Sequence, residues 1–175
     1  LVLSNISVGS ISTLTTDREF DLTMNPTASG PVTIDLPSGV GLDAAGNGNT
    51  AATQLALTAD LDDPTVVLAT TSSDPVSGVF ALTITFNEAV TGFDVSDLTV
   101  TNGSASDFAG SGASYTANIT PAADGPVTVL VYPATASDVA GNFNEISNTL
   151  SITNDETPPT VTVSSTATGP TNSAF

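Results

Sequence analysis

Apolar and polar residues alternate with a period of two along most of the chain, the pattern of half-buried strands rather than helices. Thr65-Val66-Val67-Leu68 reads as one strand just after Pro64, and Phe80-Ala81-Leu82-Thr83-Ile84-Thr85-Phe86 as a second. Leu98-Thr99-Val100-Thr101 makes a third, ahead of a turn at Asn102-Gly103, and Tyr115-Thr116-Ala117-Asn118-Ile119 a fourth, ahead of Pro121 and an Asp124-Gly125 turn. Val127-Thr128-Val129-Leu130-Val131-Tyr132 and Thr149-Leu150-Ser151-Ile152 follow. No stretch shows helical spacing over a useful length. About seven short strands in about 95 residues, with turn signals every 8 to 12, predict an all-β fold, an antiparallel immunoglobulin-like sandwich. Its core is expected to contain Val66, Leu68, Phe80, Leu82, Ile84, Phe86, Phe93, Leu98, Val100, Phe108, Tyr115, Ile119, Val127, Val129, Leu150 and Ile152.

The pattern also repeats. Phe20 to Phe80 lies without a gap on Tyr115 to Phe175, a constant offset of 95 residues. In this register Gly30-Pro31-Val32-Thr33 falls on Gly125-Pro126-Val127-Thr128, Asp43-Ala44-Ala45-Gly46-Asn47 on Asp138-Val139-Ala140-Gly141-Asn142, and Pro64-Thr65-Val66 on Pro159-Thr160-Val161. A period this long, keeping turn and apolar residues in place, predicts tandem copies of one small domain. Residues 1–59 are expected to be the C-terminal part of one repeat, 60–154 a complete repeat and 155–175 the start of a third, so that the chain is a window on a longer array.

Composition narrows the chemistry by what it lacks. There is no Cys, His, Trp or Lys, and Arg18 is the single basic residue against 18 acidic ones, for a net charge of −17. Disulfides and thiolate zinc sites are excluded, as are the commonest general base and a Schiff-base lysine. The charge argues against nucleic acid and anionic membrane surfaces as partners and in favour of cations. No apolar span long enough for membrane insertion is present. Yet only 11% of residues are charged, and the remainder is rich in Thr, Ser, Ala, Val, Gly and Asn, so the chain is not a solvated acidic tail. A halophilic surface would also raise the acid content, but a calcium-rich extracellular setting accounts for it with fewer carboxylates.

Counting strands up and down the sandwich gathers acids at the pole where the chain enters the repeat. Asp60, Asp62 and Asp63 lie in the linker, Glu88 ends the second strand, Asp97 precedes the third, and Asp138 with Asn142 lies in the loop between the last two strands. Carboxylates from four segments with no lysine beside them repel one another unless a cation neutralises them. An oxygen-only set of this size suits Ca²⁺, which takes six to eight oxygens. Asp43 and Asp155 are the repeats of Asp138 and Asp60. The plainer readings stand beside this one: Asp138 as an acceptor of backbone N–H groups in a turn closed by Gly141, and Asp62, Asp63 and Glu88 as solvated acids.

Four segments in order, Asp155-Glu156-Thr157-Pro158-Pro159-Thr160-Val161, Ile84-Thr85-Phe86-Asn87-Glu88-Ala89-Val90-Thr91-Gly92-Phe93, Asp97-Leu98-Thr99-Val100-Thr101-Asn102-Gly103 and Asp138-Val139-Ala140-Gly141-Asn142, resemble the bacterial Ig-like repeats of giant surface adhesins. The resemblance implies export, a cell-surface or filament setting, rods of repeats and Ca²⁺ that stiffens the joints, with Asp60, Glu88, Asp97 and Asp138 as ligands and Asp155 and Asp43 in neighbouring copies. Asp62-Asp63-Pro64 stands where that pattern has Thr-Pro-Pro, which makes the first joint more acidic and less rigid.

Three functions follow as expectations. The first is a structural stalk or filament segment whose partners are neighbouring repeats, with a homo-oligomer formed by lateral contact or by addition of the strand Thr160 to Val163. The second is a module binding a glycan or protein, for which only Tyr115 and Tyr132 are available as polar aromatic platforms. The third, a carboxylate-pair glycoside hydrolase, is disfavoured by the repetition, and the chain is expected not to be an enzyme. Asn5, Asn102 and Asn118 each begin a match to the N-glycosylation pattern, which arises easily by chance in so Ser- and Thr-rich a chain.

Overall fold

The computed structural model describes residues 1–15, 19–165 and 168–169. Its strands are β1 (Val2–Ser4), β2 (Ile6–Thr15), β3 (Glu19–Pro26), β4 (Gly30–Asp35), β5 (Leu55–Ala59), β6 (Val66–Ala69), β7 (Phe80–Val90), β8 (Leu98–Thr101), β9 (Gly103–Pro121), β10 (Gly125–Val131) and β11 (Leu150–Asn154). All ladders between them are antiparallel. The one helical feature among the described residues is a 3-10 turn, Val95–Asp97.

Residues 60–154 form a two-sheet sandwich. One sheet has the order β6-β7-β9 and the other β11-β10-β8. The reason lies in the alternation: on β7, Phe80, Leu82, Ile84, Phe86 and Val90 are buried while Ala81, Thr83 and Thr85 face out, and β10 offers Val127, Val129 and Val131 to the same interior. Burying each of these large side chains contributes about 1.5–3 kcal/mol, which offsets the entropy of ordering the strands. Phe86, Phe93, Phe108 and Tyr115 close one end of the core through edge-on and stacked ring pairs 5.1–6.0 Å apart. Of the expected core, Val100, Phe108 and Leu150 are only partly buried, and Val76, Val90, Ala117, Val131 and Ala136 join it.

Two expected boundaries move. Asn102 alone turns the chain, at φ 57°, and β9 begins at once at Gly103. The fourth strand is the second half of this longer β9, which doubles back at Gly110; that glycine has φ 128°, and any Cβ there would collide with the Ser114 carbonyl. The outer edge of β6 is clasped by a side chain: the Asn148 amide accepts from Leu68 N–H at 2.8 Å and donates to its carbonyl at 3.0 Å, as a paired strand would.

Residues 1–59 carry the same kinds of element without a closed core. β1-β4-β5 form one sheet and β2-β3 another, and Val32 is the one buried apolar residue among those described there. Bonds recur at the offset of 95: Gly30, Val32 and Ile34 pair with Ala59, Leu57 and Leu55 just as Gly125, Val127 and Val129 pair with Asn154, Ile152 and Leu150. Asn5 also has φ 57°, like Asn102, and each donates its amide to a carbonyl across the turn, Ala28 and Ala123. After β11 the chain from Asp155 to Ser165 lies outside any sheet, Val161 and Val163 being almost fully exposed.

Candidate metal centre

Three segments meet where the chain enters the sandwich, and backbone bonds fix each. Thr65 and Asn87 extend the β6–β7 ladder by one step: Thr65 N–H donates to the Asn87 side chain at 2.7 Å and its carbonyl accepts from Asn87 N–H at 3.0 Å. This places Glu88 beside the linker. Glu145 N–H donates to the carbonyl of buried Pro64 at 2.8 Å, which ties the linker to the loop between β10 and β11.

That loop is built on Asn144, which is 2% exposed. Its side-chain oxygen accepts from the N–H groups of Thr135 at 2.9 Å and Ala136 at 2.8 Å, and its amide donates to the carbonyls of Tyr132 at 3.0 Å and Glu145 at 2.8 Å. Asn49 makes the corresponding bonds to Gly41, Pro37 and Thr50. Sequence reasoning missed this pair, although Asn49 and Asn144 stand 95 apart and the repetition alone would have found them.

Asp138 sits at the loop's tip. Its Oδ1 accepts from Gly141 N–H at 2.7 Å and Asn142 N–H at 2.9 Å, its Oδ2 from the Asn142 amide at 2.8 Å, and Gly141 takes φ 98°. The turn-closing role weighed from the sequence is therefore present. The same carboxylate also faces two others: ligand atoms of Asp60, Glu88 and Asp138 all lie within 4.8 Å of one another. Asn142 joins loop to linker, donating to the Asp60 carbonyl at 3.2 Å, while Leu61 N–H donates to Ser29 Oγ at 2.9 Å.

The other proposed ligands stand apart from this group. Asp62 is exposed, and its charge is felt at Glu88. Asp63 is an exposed linker residue. Asp97 turns its carboxylate to Asp94 N–H, at 2.8 Å, in the capping box of the 3-10 turn. Asp43 closes its own loop by accepting from Ala45 and Asn47, and Asp155 accepts from Thr157 N–H as Asp60 does from Asp62 N–H.

Electrostatics divide the three acids. Partial burial, then the charges of Asp60 and Asp138, push the Glu88 carboxyl above its ordinary range. Burial acts the same way on Asp138, but the Asn142 amide and the loop N–H groups outweigh it and hold that carboxyl low. Glu88 thus binds its proton more tightly folded than unfolded, so this group's stabilising effect is present below its ordinary value of 4.5 and is lost as pH rises through the raised one. In chelator, the melting temperature of the wild type is expected to rise as pH falls through the window just above 4.5, and Glu88→Gln to flatten that segment of the profile. An unchanged slope in the variant would show that Glu88 is not the group under strain. Asp43, Asp94, Asp124 and Asp138, held below 3.8 by their hydrogen bonds, act with the opposite sign at lower pH.

The donor set is oxygen alone, in a sequence with no His or Cys, and three carboxylates gathered within 4.8 Å of one another fit a hard divalent cation. The sandwich that carries this group, residues 60–154, matches the family model for the bacterial Ig-like domain over that whole range. The chain belongs to the bacterial Ig-like domain family. No curated protein and no solved structure matches it. Bacterial Ig-like domains are typically extracellular or surface-associated modules with structural or binding roles. Among the described residues no helix is long and apolar enough to cross a membrane.

Proposed function

We propose that this chain is a Ca²⁺-stiffened segment of an extracellular stalk or filament, built from tandem Ig-like repeats of about 95 residues and without catalytic activity. The observation that carries the reading is the meeting of Asp60, Glu88 and Asp138 within 4.8 Å, because one of the three belongs to the linker itself. A cation held there ties the joint to two separate parts of the following sandwich and removes the mutual repulsion that Glu88 registers. Asp60, Glu88 and Asp138 would hold the ion, with Asn142 positioning Asp138 and the linker. Binding to the folded joint alone stabilises it by linkage. The recurrence of the Asp43 and Asp138 loops, of the Asn49 and Asn144 brackets and of the strand registers supports the tandem arrangement.

The glycan-binding alternative loses support. Tyr115 is buried among the core aromatics rather than displayed as a platform, its hydroxyl directed to the Val90 carbonyl, which leaves only Tyr132 exposed of the two.

Thermal unfolding of the whole chain in 1 mM-range Ca²⁺ and in chelator tests the proposal. Calcium at about 100 times its dissociation constant stabilises by about 2.7 kcal/mol, which for a domain of this size is a rise of roughly 10–20 °C. Asp138→Asn keeps a loop acceptor but removes one of the three carboxylate charges that would hold the ion, and is expected to remove most of that rise. Equal melting curves with and without Ca²⁺ would leave a metal-free Ig-like spacer.

A further inference from the structure

The peptide group between Asp60 and Leu61 is held from both sides. Its carbonyl, on Asp60, accepts from the Asn142 amide at 3.2 Å, and Asn142 belongs to the sandwich that follows. Its N–H, on Leu61, donates to Ser29 Oγ at 2.9 Å, and Ser29 lies between β3 and β4 of the preceding unit. A peptide group is planar, so bonds to its two polar ends orient it as a whole, and the Cα of Asp60 lies in that plane. The side chain that branches from this Cα is turned further by Asp62 N–H, which donates to Asp60 Oδ1 at 3.1 Å. The linker's carboxylate in the acidic centre is thus aimed by the preceding unit, the following sandwich and its own turn. The grip from the preceding unit also recurs. Gly30 and Ala59 are the last pair of the β4–β5 ladder, and Ser29 reaches past them to the linker. At the offset of 95, Gly125 and Asn154 are the last pair between β10 and β11, and Asp124 reaches past them to Glu156 N–H at 2.7 Å. What Ser29 and Asp124 share is an acceptor oxygen on the same linker N–H, not a charge.

We propose that Ser29 and Asn142 form a bracket on the Asp60–Leu61 peptide that sets the joint before any cation arrives, which makes Ser29 a positioning residue for a metal centre to which it contributes no ligand. The positioning role rests on the Ca²⁺ reading; the bracket itself does not. Fixing a linker residue has an entropic cost, and a joint that must be ordered as the ion binds loses that cost from its affinity. With the peptide already bracketed, Asp60 stands beside Glu88 and Asp138 without the ion. A neutral hydrogen bond moves such an equilibrium by a factor of about 2–12, so Ser29 tunes the centre and does not create it. Ser29 is exposed and outside the strands, so its side chain can be changed without opening the core of the sandwich.

The test compares the 175-residue chain with its Ser29→Ala and Ser29→Thr variants in two measurements. Hydrogen exchange at the Leu61 amide, followed by NMR in chelator, reads the bracket without metal. It is expected to be about 3–10-fold faster in Ser29→Ala and close to the wild-type rate in Ser29→Thr, which keeps the hydroxyl. Calorimetric titration with Ca²⁺ alone reads the positioning role. The dissociation constant is expected to rise about 3–10-fold in Ser29→Ala and to stay within about twofold of wild type in Ser29→Thr. Equal Leu61 exchange in all three chains overturns the bracket. Faster exchange in Ser29→Ala with an unchanged Ca²⁺ affinity overturns the positioning role, because the bond would then exist and aim nothing. A wild type that binds no Ca²⁺ overturns the calcium reading and the positioning role with it. That failure is distinguished from failure of the bracket by the Leu61 exchange rates, which need no metal.

Discussion

Replacing Asn144 with alanine is expected to destabilise the complete sandwich by roughly 2–5 kcal/mol, since it strands two backbone N–H groups, each costing about 1–3 kcal/mol when left unpaired away from water. These are the N–H groups of Thr135 and Ala136, both satisfied by the Asn144 oxygen. The carbonyls of Tyr132 and Glu145 lose their donor as well. Among the described residues no buried side-chain nitrogen or oxygen lacks a partner, and the Asn144 amide is itself fully used before it is removed. The melting temperature is expected to fall by about 8–40 °C at roughly 4–8 °C per kcal/mol. Asn144→Asp retains the acceptors but not the donors and is not expected to rescue. Because the loop that Asn144 brackets carries Asp138, the Ca²⁺-dependent rise is expected to shrink in the same variant. A variant with wild-type stability would show that the loop is held by its ends alone.

Phe93→Ala is expected to cost about 3–5 kcal/mol, the usual loss for emptying a buried aromatic site, with each edge-on ring pair worth about a further 0.5–1.5 kcal/mol. Phe93 is 7% exposed and touches three rings, those of Phe86 at 5.2 Å, Tyr115 at 5.1 Å and Phe108 at 5.7 Å. Unlike Asn144 it makes no polar bond to the metal loop. Denaturant unfolding should therefore show a large drop in midpoint while Ca²⁺ still stabilises the variant by close to the wild-type increment. If the increment disappears with Phe93, the aromatic end of the core and the acidic pole are one cooperative device rather than two.

The strands of the complete sandwich were legible because they are half-buried and regular: Phe80, Leu82, Ile84 and Phe86 announce their own faces. Irregular positions were less so. Asn102 combines a turn and a strand start in a single left-handed residue, and Val76 lies in a loop where no alternation marks it, yet both are fixed by tertiary bonds. The acidic pole was legible as a place, because counting strands up and down needs only their number. Which acids meet there depended on side-chain direction, and this is where Asp97 parted from the group: its carboxylate has a nearer use in capping its own turn. Asn144 escaped notice because a neutral amide carries no charge pattern and its partners are all backbone. For residues 1–59 the repetition predicts the elements of the complete repeat, but matching turns and apolar residues cannot say whether the opposing layer is present.

The Asn148 clasp on β6 has a mechanical meaning. In a chain drawn taut, tension reaches the complete sandwich through the linker into β6 and leaves it through β11. These strands belong to different sheets, so there is no ladder between them to open one rung at a time. Load passes instead from β6 through Asn148, which hangs from the approach to β11, and across the apolar interior. A pull along the chain must therefore shear a packed core as a whole, and the sandwich resists stretching as a block rather than as a zipper.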